Sequence, residues 1–292
     1  MGEVVGAALV AHYPGLMLSE EMRRARGDGA DTSLIAGFSE LRRRIDRARP
    51  DTFVIFDTHW FTTNLHLVAG ARRYQGRYTS SELPFALSRV PYDYPGAPEL
   101  AAAVERVAIE RNVAARNVDD DSLVPQYATL NVVAKLRRDE RVMSVGTCQT
   151  AAFHHYLEMG EAIGEAIRRL PGRVLLLASG ALSHGFNDLS FRPRHPNYYH
   201  PDNVSTPAHA ALDREVIALL QQGRHDVVLD RYPELARAEY EGRGAHYVQM
   251  LGALGGRSCR ARGTPCSEYE NAAGTGNIHI WFDVEAAEEG AR

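Results

Sequence analysis

Histidine recurs in this chain at one kind of place, just beyond a short apolar run. Val4–Val10 leads to His12, Thr52–Phe56 to His59, Val142–Gly146 to His154 and His155, and Val174–Ala178 to His184. Runs of this length and composition read as buried strands. In an open α/β sheet, ligands sit outside the carboxyl ends of the strands. If the four runs are parallel, their imidazoles meet at one edge of the sheet. A single histidine there is ordinarily a satisfied core residue, but repetition at the same structural place favours a shared polar site. His66, His200, His209 and His225 read instead as surface or loop residues.

Neutral imidazoles suit Zn, Fe, Cu and Ni, and two of them with one carboxylate leave positions open for substrate and dioxygen on Fe(II). The acid must come from elsewhere. AEYEGRGAH offers Glu239 and Glu241 ahead of an apolar helix, with two glycines that let the backbone approach a crowded centre. Both glutamates could equally open a solvated helix. On residue types alone, a zinc hydrolase and an iron oxygenase stay level. GALSHG (Gly180 to Gly185) misses the nucleophile elbow, whose spacing is one residue shorter. No P-loop or G-x-G-x-x-G follows a strand, so nucleotide binding is unsupported.

The elements that must position these groups alternate in type. SLIAGFSELRRRI sets Leu34, Ile35, Phe38, Leu41 and Ile45 on one helical face, with a cap among Asp31 to Ser33. PELAAAVERVAIERN, LEMGEAIGEAIRRL, AHAALDREVIALLQQG and GAHYVQMLGALGG also read as helices. Strands alternating with helices predict a single α/β domain over residues 1–292, with a central, largely parallel or mixed sheet flanked by helices. Residues 186–207, FNDLSFRPRHPNYYHPDNVSTP, have four prolines and no period. A loop so long is usually functional, and its aromatics point to an ordered lid. Its Arg192 and Arg194 are candidates to pair with a substrate carboxylate.

Bulk properties exclude several classes of function. Of 292 residues, 45% are apolar and 24% charged, and the formal net charge is −4, which gives no basic footprint for nucleic acid or an anionic membrane. LRRRIDRAR (Leu41 to Arg49) reads as a solvated helix face. No apolar stretch approaches the roughly 20 residues of a membrane span, and no leader pattern precedes the first strand, so a soluble cytoplasmic protein is expected. Cys148, Cys259 and Cys266 include no Cys-x-x-Cys, so neither a disulfide framework nor a thiolate zinc site is indicated.

Six motifs in order, AHYPG, FDTHW, YTSSELP, QYATL, ASGALSHGF and GTGN, resemble the class III extradiol dioxygenases. The likeness is nearest to the homoprotocatechuate 2,3-dioxygenase and 2-aminophenol 1,6-dioxygenase branch, and it runs nearly end to end. It implies Fe(II) held by His12, His59 and Glu241, with Glu239 in reserve. It further implies His184 as acid/base and Tyr127 as a hydrogen-bond donor to developing oxygen charge. Arg192, Arg194, His154, His155 and His246 are kept as substrate-binding candidates outside the metal shell. The implied partners are a small aromatic substrate and O2, with the chain as a homo-oligomer. A zinc-bearing hydrolase and an inactive scaffold subunit are the alternatives, and the retained histidines and glutamate argue for the active type.

Overall fold

Each predicted apolar run is a strand in the computed structural model, which describes residues 1–284. In chain order the strands are β1 (Glu3–Val10), β2 (Thr52–Thr62), β3 (His66–Ala69), β4 (Arg73–Tyr78), β5 (Val90–Pro95) and β6 (Ala115–Val118). They continue as β7 (Arg141–Cys148), β8 (Arg173–Ser179), β9 (Gly263–Pro265), β10 (Glu270–Ala272), β11 (Thr275–Asn277) and β12 (Ile280–Phe282). Eight of them form a mixed sheet in the order β6-β3-β7-β2-β8-β1-β12-β9, while β4–β5 and β10–β11 are separate hairpins. The central four, β7, β2, β8 and β1, are all parallel. The short outer strands were not legible as period-2 runs, and pairing brings in the antiparallel members β3 and β12.

Alternate residues of the central strands feed two cores. Ala7, Leu9, Val54, Phe56, Leu176 and Ala178 face one side, and Ala8, Val10, Phe53, Ile55, Leu175 and Leu177 face the other. A strand covered on both faces reads as a continuous apolar run, which is why these four stand out. The helices are α1 (Glu20–Arg26), α2 (Ser33–Ala48), α3 (Pro98–Glu110), α4 (Tyr127–Leu136), α5 (Phe153–Arg169), α6 (Pro207–Gln221), α7 (His225–Asp230), α8 (Tyr232–Arg237) and α9 (Ala245–Ala253). α3, α5 and α9 pack on the first face. α2 lays the predicted Leu34, Phe38, Leu41 and Ile45 on the second, beside α4, with the Thr32 hydroxyl accepting the Leu34 N–H as its cap. Each such buried apolar side chain contributes about 1.5–3 kcal/mol. No helix among the described residues is long and apolar enough to cross a membrane.

Two histidines assigned to the surface are interior. His66 opens β3 and is 3% exposed, and His225 is fully buried. His225 meets the Tyr247 hydroxyl at 2.8 Å and the Ala261 carbonyl at 2.8 Å, so tertiary partners satisfy a ring that its polar neighbours in sequence had placed outside.

Candidate active site

Strand order explains how distant histidines meet. Ser179, the last residue of β8, pairs with Val10 on one side and Asp57 on the other. His12 and His59 each lie two residues beyond those partners, and the chain leaving β8 reaches His184. Three neighbouring parallel strands therefore deliver three imidazoles to one edge.

His59 sits on an irregularity in β2. Between the pairs Phe56–Val145 and Phe61–Thr147, β2 takes five steps where β7 takes two. Such bulges re-aim side chains beside active sites. Asp57 holds this one in shape, its Oδ1 accepting the backbone N–H of His59 at 2.7 Å and of Trp60 at 2.8 Å. The acid at the strand end thus serves the backbone of the histidine, not the reaction.

The carboxylate comes from Glu241. It begins a tight turn in which Gly242, Arg243 and Gly244 all have left-handed backbones, with φ of 55°, 60° and 71°. Gly242 is required twice over, because a Cβ there would also come within 2.8 Å of Thr58 Cγ2. Glu241 is 5% exposed, and its Oε2 accepts the Ala181 N–H at 2.5 Å. Its Oε1 accepts the Thr58 hydroxyl at 2.8 Å. Glu239 is exposed.

Glu241 Oε1 lies 3.1 Å from His12 Nε2, 2.9 Å from His59 Nε2 and 3.8 Å from His184 Nε2. Ligand atoms of His12, His59 and Glu241 all fall within 4.8 Å of one another. Burial pushes the Glu241 carboxyl up, but the charges and hydrogen bonds of His12, His184 and His59 outweigh it and hold the group well below the usual carboxylate range. His12 shows how well the set suits a cation. Its Nδ1 is 3.0 Å from Ser179 Oγ, whose single hydroxyl proton goes to the Ala128 carbonyl at 2.8 Å. The hydroxyl can then only accept from His12, so Nδ1 carries a proton and, in the neutral ring, Nε2 turns its lone pair towards a carboxylate oxygen. Two acceptors at that separation fit a cation between them, and an outward N–H bond of this kind orients histidine ligands.

The Tyr127 hydroxyl lies 2.7 Å from His59 Nε2 and 3.4 Å from Glu82 Oε2. Burial, with the charges of Glu241 and Glu82 close by, keeps the phenol protonated well above its ordinary range. These groups line a cavity of about 300 Å³, which Pro14, Leu83, Phe85, Ala86, Phe186 and Ala272 make largely apolar. Tyr13, Arg26, Glu82 and Asn277 also line it and had not been singled out from the sequence as site residues, whereas Tyr198 reaches it from the expected lid.

The remaining candidates lie elsewhere. Arg194 donates to the carbonyls of Asp202, Val204 and Ser205, and Arg192 to those of Ser190 and Phe191. Neither arginine lines the cavity, because both are committed to folding their own loop. Asn203, fully buried, completes that loop by accepting the N–H groups of Arg194 and His195. His154 and His155 are exposed on the first turn of α5, where His155 Nδ1 accepts the Ala152 N–H. His155 lines a separate cavity with His66 and Cys148. His246 is buried behind the site, with no hydrogen-bond partner for either ring nitrogen among the described residues. Burial pushes its pKa down to about 4. A Cβ on Gly180 would come within 2.7 Å of its ring.

The chain is similar to known proteins over most of its length. The profile of the family described as the catalytic LigB subunit of aromatic ring-opening dioxygenase matches residues 6–280. The chain is 30% identical over 259 residues to 3,4-dihydroxyphenylacetate 2,3-dioxygenase of Escherichia coli, covering 87% of this chain and 91% of that protein. It is 25% identical over 302 residues to the 2-aminophenol 1,6-dioxygenase beta subunit of a Pseudomonas species, covering 98% and 96%. An uncharacterized protein of Escherichia coli K12 shares the fold, with a TM-score of 0.62 at 17% identity over 95% of this chain and 99% of that one.

Proposed function

The chain belongs to the family of catalytic LigB subunits of aromatic ring-opening dioxygenases, and from that premise we propose that it opens a carboxylated catechol with O2 at an Fe(II) held by His12, His59 and Glu241. As an enzyme it is an oxidoreductase, an extradiol ring-cleaving dioxygenase. The observation that carries the fuller reading is the convergence of two imidazole Nε2 atoms on one buried carboxylate oxygen, at 3.1 Å and 2.9 Å. Two histidines and one carboxylate with an open side form the donor set of non-haem Fe(II) oxygenases.

Bound there, Fe(II) would supply the Lewis acidity that draws a chelating diol towards its anion and the redox capacity to activate O2. The chain's own groups do the rest. His184 lines the cavity and lies close enough to Glu241 to face the reacting heteroatoms. It takes a hydroxyl proton from the substrate and returns it later in the cycle. Tyr127, kept protonated, donates a hydrogen bond to oxygen that gains charge as the ring is attacked. Leu83, Phe85 and Phe186 hold the flat ring and exclude water. Phe186 and Tyr198 bring residues 186–207 to the cavity wall, in keeping with a loop that closes over the substrate within a single catalytic domain.

The relative acting on 3,4-dihydroxyphenylacetate supports a ring bearing a carboxylate. The relative named as a beta subunit supports an assembly of several chains. Anaerobic loading with Fe(II) or with Zn(II), followed by oxygen uptake on a panel of catechols and 2-aminophenol, tests the reading. Uptake with iron and none with zinc is expected. Equal activity with zinc would remove it.

A further inference from the structure

Among the described residues, Arg26 is the one lysine or arginine lining the cavity. It ends α1, and its position is fixed through the backbone. The Arg26 carbonyl accepts the Tyr198 N–H at 3.0 Å, and the Tyr199 hydroxyl donates to the Arg23 carbonyl at 3.0 Å. α1 is thus clipped to the long loop that supplies Tyr198 to the same cavity. The neighbouring arginines are spoken for. Arg23 forms a two-pronged pair with Asp31, and Arg24 pairs with Glu20. Among the described residues, no hydrogen bond or ion pair involves the Arg26 guanidinium.

The acids lining the cavity lie with the histidine cluster. Glu241 is the carboxylate of the histidine cluster. Glu82 lies 4.0 Å from His59 Nδ1 and 3.4 Å from the Tyr127 hydroxyl. Arg26 shares the cavity wall with two tyrosines: the Tyr13 hydroxyl, buried and without a hydrogen-bond partner among the described residues, and Tyr198, whose hydroxyl accepts the Ala273 N–H at 2.6 Å. An anion entering a mostly apolar cavity is costly unless it is paired. An uncommitted guanidinium answers that need, since its planar fork matches a carboxylate.

We infer that Arg26 is the specificity-determining residue of this site and binds the carboxylate of an aromatic substrate whose two ring heteroatoms face the His12–His59–Glu241 cluster. The inference rests on the ring-opening reading for the orientation of the ring, while the charge pairing stands on the cavity itself. Arg192 and Arg194, which the sequence had suggested for this task, are bound to their own loop.

The test is anaerobic calorimetry of 3,4-dihydroxyphenylacetate and the uncharged 4-methylcatechol on Fe(II)-loaded parent, Arg26→Gln and Arg26→Lys proteins, with oxygen uptake recorded in parallel. The parent should bind the carboxylated ring about 10- to 100-fold more tightly, the scale of a hydrogen bond to a charged group. In Arg26→Gln that ratio should collapse towards one. Arg26→Lys should recover part of it, as a point charge without the fork. A parent without the preference, or the same preference in Arg26→Gln, overturns the inference. A charge-dependent ratio without ring opening would keep Arg26 and remove the dioxygenase reading, whereas ring opening with an unchanged ratio would do the reverse.

Discussion

Asp57 and Thr129 join the strand that carries His59 to the helix that carries Tyr127. Asp57 Oδ2 accepts both the Thr129 N–H, at 3.0 Å, and its hydroxyl, at 2.6 Å, while Oδ1 holds the bulge around His59. One fully buried carboxylate therefore sets the relative position of two site residues without reaching the cavity. Asp57→Ala leaves the His59 and Trp60 N–H groups without their acceptor, each costing about 1–3 kcal/mol, while the Thr129 N–H keeps the Gln126 carbonyl. Urea unfolding should show that loss. Metal affinity should fall about 10- to 100-fold, as for other partners that orient ligands. Unchanged metal affinity in a folded Asp57→Ala protein would show that the bulge keeps its shape unaided.

Glu241 and Glu239 are two residues apart and should behave in opposite ways. Glu241→Ala removes a buried carboxylate at the centre of the cluster and should abolish tight Fe(II) binding. Glu239→Ala alters an exposed side chain and should bind iron as the parent does. Equilibrium dialysis of Fe(II) under anaerobic conditions separates the two variants, and retention of iron by Glu241→Ala would contradict the assignment.

His184 should serve turnover and not metal retention, since its Nε2 stands off at 3.8 Å from Glu241 while His12 and His59 lie at 3.1 Å and 2.9 Å. His184→Gln should keep its iron and lose about 10²- to 10⁴-fold in kcat, the usual contribution of a positioned acid or base. Loss of iron from this variant would instead make it a ligand.

Acid should weaken the fold through His279, which sits against the site's backbone. Its Nδ1 accepts the Ala11 N–H at 3.1 Å, one residue before His12, and its Nε2 faces the Leu34 carbonyl at 3.2 Å. Only the neutral ring satisfies both. Burial pushes its pKa from 6.5 down to about 3. The unfolded chain therefore binds this proton first as pH falls, and stability present above pH 6.5 is lost between there and about pH 3. The urea midpoint should decline over the upper part of that range, and His279→Gln should show a shallower decline from a lower starting value. An equal slope in both proteins would assign the acid sensitivity elsewhere.

The centre of the molecule was legible in the sequence because its signals are local. Strands buried on both faces are written as apolar runs, and a histidine at the end of each points to one edge when the runs are parallel. His12 and His184 follow β1 and β8, His59 lies on the bulge of β2, and because these three strands are neighbours in the sheet the structure brings the rings together. His154 and His155 follow β7 and obey the same pattern on paper. The turn after Cys148 carries them onto the outward first turn of α5 instead. Arg26 could not have been found this way. It is one of several arginines in EEMRRARG, and only the clip between α1 and Tyr198 decides which of them reaches the cavity. His66 and His225 were missed for the same reason, since their burial depends on elements far away in the chain.

The central claim is that O2 is inserted into an aromatic ring at the iron held by His12, His59 and Glu241. Mass spectrometry of the product formed from 3,4-dihydroxyphenylacetate under isotopically labelled O2 tests it most directly. The Fe(II)-loaded parent should give a ring-opened acid carrying label from both oxygen atoms, apart from any exchange with water, and His12→Ala should give none. An unopened ring, a product without label, or the same labelled product from His12→Ala would contradict the account.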